Sequence, residues 1–145
     1  MYPTIDQIYH AMDQFAPFAT AMDFDNPGFL IGDSKRVVQT ALLALDCTPA
    51  VLGSAIDAQA QLIITHHPVI FQPLKYIHAD SLVYQLIEHH IGVISAHTNL
   101  DMACGGVNDC LAARLGLQDC LLYTSQPITN FSAAVLRLLR KFHAD

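Results

Sequence analysis

The sequence predicts an α/β domain with a mostly parallel sheet and flanking helices, built from βαβ units. Three observations carry this. Short β-branched or apolar runs (37–45, 62–65 and 93–96) alternate with stretches of helical periodicity. The runs are near-continuously apolar, as strands covered on both faces are. The 145 residues are 52% hydrophobic and 14% charged, enough apolar material for one domain with a real core.

The elements follow in order. Ile5, Ile8, Tyr9 and Met12 recur at helical spacing, with Thr4 placed as N-cap and Pro17 as a stop, so residues 4–15 read as a helix. Asp23-Phe24-Asp25-Asn26-Pro27-Gly28 is a loop by its turn chemistry, and Phe29, Leu30 and Ile31 return to the core. Residues 37–45 suit a buried strand with Asp46 at its end. Thr48 and Pro49 open a helix over 48–58. The strand 62–65 runs straight into His66-His67-Pro68. After a loop over 69–79, residues 81–90 form a helix that pairs Leu82 with Leu86 and Val83 with Ile87, and Gly92 is placed as its cap. The strand 93–96 runs into His97. A Gly105-Gly106 turn opens a helix over 107–115. Residues 131–143 read as an amphipathic helix whose Arg137, Arg140 and Lys141 make a solvated face.

Composition narrows the function classes. A net charge of −6 with seven basic residues is not the footprint of a nucleic-acid binder. No apolar run spans a membrane, and residues 1–13 lack the basic start of a signal peptide. Cys47, Cys104, Cys110 and Cys120 form no C-x-x-C pair, so reduced thiols in a cytoplasmic protein are expected.

Chemistry is concentrated in the histidines. Ligand sites of open α/β sheets lie beyond the carboxyl ends of the strands. His66 and His67 follow one strand, His97 follows another, and Asp101 comes four residues later in the same loop. If these strands are neighbours, three imidazoles and a carboxylate converge. That donor set suits Zn, Fe, Mn, Ni or Co, and without a thiolate it is not a closed structural zinc site. Consecutive side chains on extended backbone point to opposite sides, so His66 and His67 are expected to address two ions side by side. Glu88, the single glutamate, is placed on a helix face away from the strand ends. His89 and His90 are helix C-terminal cations, and His10 and His78 surface residues. Cys104 is a buried thiol rather than a nucleophile or ligand. Gly105-Gly106 is a plain helix-opening turn in preference to an anion site.

Three segments together resemble the Nif-three-like (NGG-one-interacting factor three-like) dinuclear metal-binding family, whose members go by the name GTP cyclohydrolase I type 2 homologues. They are Asp25-Asn26-Pro27-Gly28-Phe29-Leu30-Ile31-Gly32, Leu62-Ile63-Ile64-Thr65-His66-His67-Pro68-Val69-Ile70-Phe71, and Ala96-His97-Thr98-Asn99-Leu100-Asp101 through Gly105-Gly106-Val107-Asn108-Asp109. The resemblance covers residues 1–120, read as the metal-binding α/β unit, with 121–145 as a divergent tail. It implies two divalent metal ions per subunit, with His66, His67 and Asp101 as ligands and His97 in or beside the metal shell. It implies a hexameric ring, a small-molecule substrate and a metal-dependent hydrolase. The family completes its site with a later His and Glu. The late H-x-x-x-E is absent, His143 being followed by Ala144 and Asp145, so the chain is expected to be a truncated or rearranged member or a fragment of a longer gene product. A non-catalytic metal-binding or assembly module is the alternative.

Overall fold

A computed structural model describes residues 2–117. Four strands form one sheet in the order β1-β4-β3-β2, with β1 at Gly28–Ile31, β2 at Ala41–Ala44, β3 at Leu62–Thr65 and β4 at Gly92–Ser95. The sheet is mixed. β2, β3 and β4 run parallel, in the register Ala41↔Leu62↔Gly92 through Ala44↔Thr65↔Ser95, whereas β1 runs antiparallel to β4. β1 is the segment the sequence shows only as an apolar return. Its register shifts between Phe29 and Ile31, and so short and irregular a strand leaves little periodic signal.

The helices are α1 Ile5–Phe15, α2 Pro49–Asp57, α3 Leu82–Glu88, α4 Thr98–Met102 and α5 Val107–Arg114, with a 3-10 turn at Phe18–Thr20. Thr4 and Gln7 close a full capping box on α1. The Thr48 hydroxyl caps α2 with Pro49 in its first turn, and the Ser81 hydroxyl caps α3. Both sheet faces are covered, and alternate residues divide between two cores. Leu62 and Ile94 pack with Ile5, Val38 and the α1 side chains Ile8, Tyr9 and Met12. Ile63 and Val93 pack with Leu52 and Ala55 of α2 and with Val83 and Leu86 of α3. This period-two split is why the central strands read as continuously apolar.

Three boundaries differ from the sequence reading. The strand expected over 37–45 shrinks to Ala41–Ala44. Val37 makes an isolated bridge to Thr4, and the Gln39 and Thr40 N–H groups donate to the Gln61 side-chain oxygen, which delays the start of the ladder. Gly92 does not cap α3. His90 takes the left-handed turn at φ 56°, and Gly92 opens β4, where a Cβ would lie 2.6 Å from Ile5 Cδ1. The stretch from His97 to Asp101 is not a loop but the short helix α4. The helix expected over 131–143 lies outside the described residues, as does Cys120. Among the described residues no helix is long and apolar enough to cross a membrane.

Candidate metal centre

β3 and β4 are adjacent and parallel, so both chains leave the sheet at the same edge. Beyond the assigned strands the chains stay tied together, because the His66 and His67 N–H groups donate to the Ala44 and Leu45 carbonyls and Ala96 N–H donates to Thr65 O. Thr65 Oγ1 donates to His67 O at 2.9 Å and lies 2.8 Å from Ser95 Oγ, which fixes the two tips against each other. His66, His67 and His97 therefore meet. One ring nitrogen from each falls within 4.8 Å of the others, and the ring centroids are 5.1–5.5 Å apart. The fourth expected residue, Asp101, places Oδ1 3.5 Å from His66 Nε2. The expected divergence of His66 and His67 does not hold. β3 ends at Thr65, both residues lie beyond the strand, and their rings share one cluster with His97.

Each imidazole is held through its Nδ1 by an oxygen. His66 Nδ1 lies 2.9 Å from Ala96 O, His67 Nδ1 2.6 Å from Asp46 Oδ1, and His97 Nδ1 2.8 Å from Asp25 Oδ1. A carbonyl or carboxylate can only accept, so each Nδ1 is the donor, and a ring in its neutral form then has its lone pair on Nε2. Metal-ligating histidines are oriented in this way. The donor set fits a divalent transition ion on its own chemistry: three imidazoles, a carboxylate beside them, and no thiolate among them.

Asp25 and Asp46 escaped the sequence reading as partners of the histidines. Asp46 follows β2, the parallel neighbour of β3, and this strand-end position is the signal that could have found it. Asp25 is 72 residues from His97 and had only its place in the first family segment. Its side chain is fully enclosed. Burial pushes its carboxyl up, but hydrogen bonds from the Thr98 hydroxyl, His97, Thr98 N–H and Asn26 N–H outweigh it and hold the group below the ordinary carboxylate value. Asn99, also fully buried, accepts from His97 N–H and donates to Ala16 O, which ties the start of α4 to the end of α1.

Other candidates fall away from the cluster. Cys104 is exposed rather than buried, and Glu88 is exposed at the end of α3. The Gly105 N–H donates to Asp109 Oδ2 and the Gly106 N–H to Ala103 O, so neither is free for an anion. Burial pushes the Cys47 thiol up to about 11. At mildly alkaline pH, iodoacetamide should label Cys47 at least ~10-fold more slowly than exposed Cys104 and Cys110, as read by peptide mapping.

Comparison with known proteins identifies the family. A sequence model of Duf34/NIF3 (NGG1p interacting factor 3) matches residues 3–140. The chain is 40% identical over 120 residues to a GTP cyclohydrolase 1 type 2 homolog of Halalkalibacterium halodurans, covering 80% of this chain and 32% of that protein. It is 43% identical over 117 residues to the Bacillus subtilis protein of the same name, covering 78% of this chain and 31% of the relative. The chain thus spans about a third of the length of these relatives. Among solved structures, a Bacillus cereus protein related to NIF3 superposes with a TM-score of 0.77 at 42% identity, over 81% of this chain and 34% of that one. Staphylococcus aureus protein SA1388 superposes with a TM-score of 0.78 at 40% identity, over 81% and 35%. With its model matched over nearly the whole sequence, and with such relatives in sequence and in structure, this chain belongs to the Duf34/NIF3 family.

Proposed function

We propose that the chain binds divalent transition-metal ions through His66, His67, His97 and Asp101 and contributes them to a hydrolytic site. The observation that carries this is the convergence of three imidazole nitrogens within 4.8 Å, each ring held through Nδ1 by an oxygen. The cluster on its own is sized for one ion. Two ions per subunit, drawn from Zn, Fe, Mn, Ni and Co, is the reading that the family resemblance supports. A bound ion supplies Lewis acidity and activates water. The protein's part is to hold three imidazole lone pairs in place. Residues 1–120 form the metal-binding unit, with 121–145 as a tail.

The relatives' name, GTP cyclohydrolase 1 type 2 homolog, supports a hydrolase acting on a small nucleotide-like substrate. The same resemblance supports a cytoplasmic homo-oligomer, as a hexameric ring. A second reading is a non-catalytic metal-binding or assembly module, which the histidine cluster by itself would serve equally well.

Metal content after loading with zinc and desalting tests the proposal. The wild-type chain should retain about one or more equivalents, and His97→Ala and Asp101→Ala should each retain far less. Equal retention in all three would remove the site. Turnover of GTP with and without added metal then separates the hydrolase from the binding module.

A further inference from the structure

The three imidazoles are not held alike. His66 leans on a backbone carbonyl, His67 on the half-exposed carboxylate of Asp46, and His97 on the enclosed carboxylate of Asp25. Among the described residues the Asp46 side chain accepts from His67 alone. Asp25 is saturated. Its Oδ1 accepts from His97 Nδ1 and from Asn26 N–H at 2.7 Å, and its Oδ2 accepts from Thr98 N–H at 3.1 Å and from the Thr98 hydroxyl. Thr98 Oγ1 itself accepts from Met22 N–H at 3.0 Å, which aims its proton at Asp25.

We infer that Asp25 is a positioning residue that sets the tautomer of His97, keeping its proton on Nδ1 and its Nε2 lone pair for a cation. This deepens the metal-binding reading and rests on it for the ligand alone. Four donors meet two oxygens, so no acceptor position can become a donor without a conflict. An amide at position 25 would have to give one position up. The Thr98 side offers two committed donors, one of them a half-buried N–H. The opposite side offers Asn26 N–H, which is exposed and can turn to water, and His97, whose ring can exchange its proton. The amide nitrogen therefore faces His97, whose Nδ1 must then accept, and the proton moves to Nε2. A carboxylate-to-amide change of this kind leaves the shape intact and imposes the wrong tautomer. Asp46 has no such committed donors, so an amide there can turn its oxygen to His67 and leave that ring unchanged.

Two-bond proton–nitrogen correlation spectra of the metal-free, 15N-histidine-labelled chain test this, above the usual histidine pKa of about 6.5. In the wild-type protein, His97 should show a protonated Nδ1 and a bare Nε2. The bare nitrogen should move to Nδ1 in Asp25→Asn, and His67 should stay unchanged in Asp46→Asn. A wild-type His97 with its proton on Nε2 overturns the inference without any variant having to fold. So does a folded Asp25→Asn chain with the wild-type pattern. Zinc competition adds a second readout. Asp25→Asn should weaken affinity by roughly 10–100-fold, the usual range for a ligand's hydrogen-bond partner, and Asp46→Asn by less. Equal losses in the two would overturn the asymmetry. Correct tautomers in a wild-type chain that takes up no zinc would instead reject the metal-binding reading and leave the assignment of Asp25 standing.

Discussion

Gly106→Ala is expected to destabilise the chain by about 2–4 kcal/mol, seen as a lower midpoint in urea. A Cβ at this position would lie 2.0 Å from Leu100 O and 2.8 Å from Ala103 O. Both obstacles are backbone, so no side chain can swing aside. The Gly106 φ of −75° is ordinary, so the demand is for space alone. The tight corner joins α4 to α5, and Asn108 Nδ2 donates to Asp101 O across it at 2.9 Å. Asp101 is therefore held by a turn that an added methyl group would force open, and the substitution should also lower metal affinity. Gly53→Ala is the matched control. A Cβ there meets nothing within 4 Å, and its position inside α2 favours alanine, so no loss is expected.

Asp25→Ala is expected to lose about 2–3 kcal/mol at neutral pH, because it strands donors that the carboxylate now satisfies in an enclosed position. The sign of its pH dependence follows from the lowered pKa. An acid held below its ordinary value contributes stability that is fully present above that value and is lost as pH falls through the folded-state value. The gap between wild type and variant should therefore be widest near pH 7, and the ionic part of it should close under acid conditions below about pH 4. Urea titrations at several pH values measure this. A gap that widens with acid would mean that the carboxyl is favoured in its neutral form.

How legible each feature was in the sequence follows from how local its cause is. The caps at Thr4 and Thr48 and the strand Leu62–Thr65 depend on a few consecutive residues, and the structure has them as read. So does the exit of His66 and His67 from one strand and His97 from the next, once two parallel strands are neighbours. β1 is two-faced and broken by a register shift, so neither period declared it. The start of β2 was set by Gln61, a side chain 21 and 22 residues away that claims the N–H groups of Thr40 and Gln39. The carboxylates behind His67 and His97 come from 21 and 72 residues away. Hydrophobic periodicity says which face a residue takes but not which distant acid waits there. The premise that adjacent histidines diverge failed for a local reason, since the strand stops one residue before them.

X-ray absorption of the zinc-loaded chain tests the central claim most directly. Three imidazoles sharing one cation through Nε2 should give a nitrogen and oxygen shell at about 2.0–2.1 Å, with the outer-shell scattering of about three imidazole rings. His97→Ala should lower that ring count by one. A shell dominated by sulfur at about 2.3 Å, or a nitrogen and oxygen shell without imidazole scattering, would contradict the account.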